Sequence, residues 1–163
     1  MENQLKESWI LAPHMLETSY LYNKASQLMW PHSVSISIVN AALSLEILFK
    51  SFHAQITGNE NELNEKYRFN SKVVKRGSAH DLLDLFNALP EDIKSQFDSS
   101  FTVDILTKYR STFVGERYIY ELSAIGGGTG ALMDIASRLI DKTVQIYRKR
   151  GCTDPWVVNY PKV

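Results

Sequence analysis

The sequence has only one cysteine, Cys152, among its 163 residues. A single cysteine excludes an intramolecular disulfide framework and a zinc site built from several thiolates. The histidines are also few, and none has a second histidine four residues away or a Cys-x-x-Cys partner; they are His14, His32, His53 and His80. We therefore expect no metal and no cofactor.

A long hydrophobic run is also missing, because no stretch approaches about 18 uninterrupted apolar residues. The segment from Met1 to His14 lacks the basic start of a targeting signal. The 18 Lys and Arg residues balance the 18 Asp and Glu residues, so the formal net charge is zero. This balance disfavours broad electrostatic attraction to nucleic acid but permits a local basic patch. We predict a cytoplasmic protein with no membrane segment.

Glycine and proline are scarce, with 8 and 5 residues, and no Asn-Gly or Asp-Gly hairpin turn is present. Sustained alternation of apolar and polar residues is also rare, which disfavours strands. The sequence predicts a single all-α domain over residues 1–163, since this length suits one domain. The expected architecture is an up-and-down bundle of four to five main helices. A polar connector over 58–77 follows the second helix, and residues 151–163 form an irregular tail.

The clearest helical pattern covers residues 31–56, where two apolar faces predict a central helix with neighbours on both sides. Between these faces runs a stripe of small polar residues, namely Ser33, Ser37, Asn40, Ser44 and Ser51. Such a stripe commonly marks a part-exposed surface; the alternative is close approach by another helix or a second subunit.

Other helices are expected over 14–29, over 102–112, over 131–150 and directly after Pro90. Ser78 and Asp81 have the spacing of a capping box, which would place His80 in the first turn of another helix. The segment 113–125 fits either a continued helix or a strand. Trp156 in the tail is expected to dock on the bundle.

A charged stripe interrupts the apolar central helix at Glu46, Lys50 and His53. Glu46 precedes Lys50 by four residues, the favoured orientation for an ion pair on a helix. This pair has two interpretations, a structural ion pair or a part of a binding or catalytic site.

Two further segments have compositions that could bind phosphate. Residues 66–76, KYRFNSKVVKR, interleave basic and aromatic side chains, as RNA-binding surfaces do, although most such runs are solvated loops. The loop AIGGGTGALM over 124–133 precedes a helix, and its exposed amides could hold an anion. It lacks the Gly-Lys-Ser/Thr of a Walker loop, so a flexible connector capped by Thr129 is the alternative.

Three segments in order, NAALSLEILFKSF over 40–52, AHDLLDLFNALP over 79–90 and FVGERYIYE over 113–121, resemble the HEPN superfamily of small helical bundles. This resemblance implies a helical bundle that is frequently a homodimer and is associated with RNA cleavage, toxin–antitoxin systems, stress or defence. It also suggests framework or ligand-binding roles for matching positions, which are Glu46, Lys50, His80, Asp81, Arg117, Tyr118 and Glu121. The basic Lys75 and Arg76 are further ligand-binding candidates.

Catalytic members of that superfamily use an arginine followed by a histidine after four to six residues. Only three residues separate Arg76 from His80, and no histidine follows Arg117, so this signature is not matched. The leading hypothesis is therefore a non-enzymatic, homodimeric HEPN-like module that binds RNA, a nucleotide or a partner protein. The alternative is a metal-independent ribonuclease in which His80 acts with Arg117 or Arg76.

Overall fold

A computed structural model describes residues 9–74, 78–115 and 128–162. It confirms the all-α class, since helices dominate and the sheet has two short strands. The described elements are α1 (Pro13–Met29), α2 (Val34–Ser51), β1 (Ala54–Gly58), β2 (Lys66–Phe69), α3 (Leu82–Asn87), α4 (Glu91–Phe97), α5 (Ser100–Lys108), α6 (Thr112–Gly115), α7 (Ala131–Lys149) and α8 (Pro155–Asn159).

Helices α1, α2 and α7 pack against one another, and α2 lies in the centre. Its apolar side carries a continuous row of buried residues, so its burial follows the 3.6-residue period of the sequence. Aromatic and aliphatic side chains from α3, α4 and α7 complete the core. The largest fully buried side chains include Tyr147, Phe49, Phe52, Phe86, Phe97 and Leu16.

The small polar stripe of α2 forms a close helix contact within the chain. Ser19 and Ser44 exchange hydrogen bonds with each other's carbonyl oxygens at 2.7–2.8 Å. Ser37 donates to the carbonyl of Ser26 at 2.7 Å, and all four serines are buried. The later serine of α1, Ser26, pairs with the earlier serine of α2, Ser37, so the two helices are antiparallel. The part-exposed interpretation of the stripe is therefore wrong at Ser37, Ser44 and Ser51, which are buried, and holds at Ser33 and Asn40.

The central helix is shorter than predicted, because residues 54–56 belong to a strand. β1 and β2 pair in antiparallel order, with Ala54 opposite Phe69 and Ile56 opposite Tyr67. The predicted polar connector thus contains a hairpin. Its turn uses Asn59 and has positive φ there, a conformation that asparagine tolerates better than most residues.

The helix after the connector begins later than predicted. Asp81 is the N-cap of α3, and its carboxylate accepts from the amides of Leu83 and Asp84 at 3.0 and 3.1 Å. The expected capping box is wrong, because Ser78 accepts from the His80 amide instead. His80 therefore precedes the helix and is not in its first turn.

The last long helix agrees closely with its prediction, since α7 ends at Lys149 and Gly151 has φ of 76°. The tail is not wholly irregular. Asp154 caps α8 and Pro155 occupies its first turn, a combination that favours helix initiation. Trp156 packs edge-on against Tyr20 at 5.4 Å between ring centroids, as expected for docking.

By length and composition, α2 is the one helix among the described residues that could cross a bilayer, and it is 61% buried inside the fold. A central core helix has the same composition as a membrane span, so the burial accounts for its apolar character. The predicted cytoplasmic location and the absence of a membrane segment remain predictions.

Candidate functional site

Glu46 is the centre of the candidate site. It lies on the side of α2 that faces β2 and the start of α3, and only 5% of its side chain is exposed. One carboxylate oxygen, Oε1, accepts from Lys50 Nζ at 2.6 Å and lies 2.9 Å from His80 Nδ1. The ion pair predicted from the four-residue spacing is confirmed, and His80 is added to it. We call these three residues the Glu46 cluster.

The second carboxylate oxygen, Oε2, is buried, and no donor in the described part of the chain reaches it. A buried acceptor without a donor loses its hydration and receives no hydrogen bond in return. Among the described residues, nothing therefore offsets the free-energy cost of burying Oε2, and a buried group of this kind is one that a functional role can explain.

His80 presents the accessible edge of the cluster, because 49% of its side chain is exposed. An ionised carboxylate only accepts hydrogen bonds, so the proton shared with Glu46 belongs to Nδ1. In the neutral ring, Nε2 then carries a lone pair. This nitrogen can accept a hydrogen bond or a proton from a ligand.

Aromatic rings flank the cluster on both sides. The ring of Phe69 lies 5.2 Å below Lys50 Nζ in a cation–π contact. The His80 imidazole stacks on Phe113 of α6 with 5.8 Å between centroids and 28° between planes. The site is thus assembled from α2, β2, the segment before α3, and α6.

The segment carrying His80 is fixed by Arg110. This residue donates from Nε to Asp81 at 2.7 Å and from Nη2 to Asp84 at 3.2 Å. The hydrogen bond with Asp81 also raises the pKa of the Arg110 guanidinium. The carboxylates of Asp81 and Asp84 are therefore already paired, and Arg110 positions the segment.

His53, the third member of the predicted charged stripe, lies outside the cluster. The helix has ended before it, and its Nε2 instead lies 2.8 Å from the carbonyl oxygen of Ala88. Burial lowers the pKa of His53, while the bond to that carbonyl acts in the opposite direction. His53 therefore joins the end of α2 to the end of α3.

The pleat of β2 places the basic and the aromatic side chains at the start of the segment 66–76 on opposite sides of the strand. Tyr67 and Phe69 are half-buried on the inner side, and Lys66 and Arg68 are exposed on the outer side. Base stacking on the two aromatics, as the composition suggested, is not available on this outer side. The cations remain available, and Lys72 beyond the strand is exposed as well.

The described end of the glycine loop packs into the core. A Cβ atom on Gly128 would lie 2.4 Å from Ile38 and 2.8 Å from the Tyr109 hydroxyl, which are forbidden separations. The Thr129 amide donates to that hydroxyl at 3.0 Å. Burial raises the pKa of Tyr109, but hydrogen bonds from Thr129 and the nearby Lys108 offset this and lower it. Gly128 thus permits close packing, and residues 124–127 of the predicted phosphate loop lie outside the described residues.

Several predicted site residues also lie outside the described residues, namely Lys75, Arg76, Arg117, Tyr118 and Glu121. Their roles stay predictions, as does the choice between helix and strand beyond residue 115. The structure brings Glu46, Lys50 and His80 together. The contact between Glu46 and His80 spans 34 positions, and no local sequence signal could have revealed it.

Away from the cluster, the hairpin tip, the start of α1 and the loop before α8 enclose a cleft of about 440 Å³. Its lining includes Glu62, Glu65 and Asp154. Glu65 is already bonded to Tyr67 and to the Asn61 amide. Within the described ranges no group of three His, Cys, Asp or Glu side chains is placed to hold a metal ion.

No family model, curated protein or solved structure matches this chain.

Proposed function

We propose that this chain is a HEPN-like helical bundle module that binds single-stranded RNA without cleaving it. The observation that carries the proposal is the His80 imidazole, held by buried Glu46 beside Lys50 and half exposed to solvent. The order of the three sequence segments supports the family resemblance and the up-and-down arrangement of the bundle.

Charge and exposure favour RNA over a neutral ligand. Lys66, Arg68 and Lys72 are exposed cations on or just beyond β2, and the first two project from the side of that strand opposite to Phe69, which contacts Lys50. Such cations attract phosphates, while a half-exposed ring stacked on another ring offers a surface for a base. His80 Nε2 supplies a hydrogen-bond acceptor for a sugar or base donor.

The absence of cleavage is proposed from the cations near His80. A ribonuclease needs a cation to stabilise the charge that develops on the phosphorane. Among the described residues, Lys50 is bonded to Glu46, and Arg110 is bonded to Asp81 and Asp84. The two described cations beside His80, Lys50 and Arg110, are therefore already neutralised by carboxylates.

The alternative is a metal-independent ribonuclease with His80 as the general base. One observation favours it, because the bond from Nδ1 to Glu46 leaves Nε2 oriented to take a proton from a 2′-hydroxyl. Arg117 or Arg76 would then stabilise the phosphorane. The two functions share the site and differ in whether the phosphodiester bond breaks.

Binding can be measured by fluorescence anisotropy with a labelled single-stranded RNA oligonucleotide. We expect saturable binding by the wild-type chain that His80→Gln weakens about tenfold, since one hydrogen bond and one stacked ring are altered. His32→Gln is the control, because His32 is exposed in the turn between α1 and α2. Equal affinity of all three proteins would contradict the proposal.

Cleavage is tested in the same samples with EDTA present. We expect the RNA to remain intact at high protein concentration. Cleavage that persists in EDTA, gives a cyclic phosphate end and disappears with His80→Ala would replace the binding module by the ribonuclease. His32→Ala must leave that cleavage unchanged for the assignment to His80 to hold.

A further inference from the structure

The cleft between the hairpin tip, the start of α1 and the loop before α8 shares no lining residue with the Glu46 cluster. Its volume of about 440 Å³ lies within the range of small-ligand pockets, which is about 300–1,000 Å³. The lining comes from four separate stretches of the chain, at 11–14, 56, 61–65 and 151–155. The cleft is therefore a product of the tertiary fold and has the size of a binding site.

The charged side chains of the cleft are nearly all acidic. Three carboxylates line it, and they belong to Glu62, Glu65 and Asp154. The two glutamates are in the hairpin tip and Asp154 is in the loop before α8, so two of the walls carry negative charge. Apart from His14, no basic side chain contributes to the lining that the structure describes. This charge distribution favours a cationic ligand.

Two of these carboxylates are held in place by the surrounding structure. Glu65 accepts from the Tyr67 hydroxyl and from the Asn61 amide. Burial, together with the neighbouring carboxylate, raises the pKa of Tyr67, so its hydroxyl keeps the proton that it donates to Glu65. Asp154 Oδ1 accepts from two backbone amides in the first turn of α8, at 2.9 and 3.3 Å. Because a carboxylate can accept about four hydrogen bonds, each retains acceptor capacity for a ligand without having to move.

The carboxylates are spread over the cleft and do not converge on one point. No three His, Cys, Asp or Glu side chains in the described ranges are placed to hold a metal ion. Apolar side chains, among them Leu11, Ile56 and Pro155, form much of the remaining lining. Ammonium groups on a methylene chain fit this arrangement. The chain can cover the apolar side chains while each charged end pairs with a carboxylate.

We propose that this cleft binds an aliphatic amine with two or more ammonium groups, one paired with Glu65 and another with Asp154. Glu62 contributes less, because it is exposed and solvent screens its charge. The proposal does not rest on RNA binding at the Glu46 cluster, and its tests contain no RNA.

Isothermal titration calorimetry of the full chain at pH 8 tests the site with cadaverine, a linear diamine with five methylene groups. We expect saturable binding with a dissociation constant below about 1 mM. Pentylamine has one ammonium group fewer and should bind at least about threefold more weakly. Pentanediol has the same chain length without charge and should not saturate below about 10 mM. Absence of saturable cadaverine binding, or equal affinity for cadaverine and pentanediol, would overturn the proposal.

Neutral substitutions locate the two ammonium groups. Glu65→Gln and Asp154→Asn each remove one charge and keep an acceptor oxygen, and asparagine remains a good N-cap residue. Each should raise the cadaverine dissociation constant about three- to tenfold, with the fold verified by circular dichroism. Glu60→Gln is the matched control, since Glu60 is exposed in the same hairpin tip and does not line the cleft. If Glu60→Gln weakens binding as much as the other two, the amine follows the surface charge alone and the proposal is wrong.

Cys152 supplies a second measurement that needs no variant, because it is the single cysteine of the chain and lines the cleft. Burial raises the pKa of its thiol, so alkylation by iodoacetamide at pH 8 is slow enough to follow by mass spectrometry. A bound amine blocks access to the thiol. Cadaverine at about ten times its dissociation constant should therefore lower the alkylation rate at least about fivefold, while pentanediol leaves it unchanged. An alkylation rate that cadaverine does not lower would also overturn the proposal.

Discussion

Replacing Glu46 with leucine is expected to lower the free energy of unfolding by about 2–4 kcal/mol. The substitution removes the carboxylate that Lys50 and His80 share, and the Lys50 side chain is only 16% exposed. Its ammonium group would then be largely buried without a counter-charge. The loss is at the lower end of the range for buried pairs because Oε2 has no donor among the described residues, so removing it recovers part of its desolvation cost.

The matched variant is Glu46→Leu combined with Lys50→Met, which removes both charges and keeps similar side-chain volumes. We expect it to recover most of the lost stability, since replacing a whole buried pair by apolar side chains is often neutral. Urea unfolding followed by circular dichroism measures all three proteins. If Glu46→Leu costs less than about 0.5 kcal/mol, the size of an ordinary surface substitution, then Glu46 is not the centre of the cluster.

Replacing Gly128 with alanine is expected to destabilise the fold by about 2–4 kcal/mol, through overpacking and backbone strain together. The new Cβ would meet Ile38 at 2.4 Å and the Tyr109 hydroxyl at 2.8 Å. The residue also has φ of 155°, which side-chain-bearing residues rarely adopt. Both effects act on the packing of the loop against α2 and the end of α5.

Gly130→Ala is the control for this substitution. Gly130 has helical φ and ψ, and a Cβ there makes ordinary contacts with Met133 and Trp30. Its unfolding free energy should change by less than about 0.5 kcal/mol. Similar urea midpoints for both variants would contradict the packing role of Gly128.

Features set by short-range periodicity could be predicted from the sequence. The apolar row of α7, the cap at Gly151 and the pair Glu46–Lys50 depend on residues within a few positions of one another. The start of α4 after Pro90 is of the same kind. Such signals survive in a single sequence because the contacts that they report are local.

Features that depend on pairing across the chain could not be predicted in this way. Residues 54–56 continue the helical period of α2, yet hydrogen bonds with β2 place them in a strand. Their strand state depends on residues that are more than ten positions away. The same limitation applies to the serine contacts between α1 and α2, which join positions up to 25 apart.

The candidate site combines residues that the sequence predicted with an arrangement that it could not predict. Glu46, Lys50 and His80 were each predicted as site residues, but their common hydrogen-bonding arrangement depends on how the hairpin and α3 fold back onto α2. The start of α3 had a misleading signal. Ser78 and Asp81 have capping-box spacing, but Asp81 caps the helix itself and thereby leaves His80 in front of it.

The most direct test of the RNA-binding site is an NMR titration of the histidine rings, since the chain has only four histidines. Long-range proton–nitrogen spectra of the imidazoles would be recorded while single-stranded RNA is added in EDTA. We expect the His80 Nε2 signal to shift saturably with the same dissociation constant as the anisotropy titration, while the exposed His32 stays unchanged. An unchanged His80 signal at saturating RNA, or equal shifts for His80 and His32, would contradict binding at the Glu46 cluster.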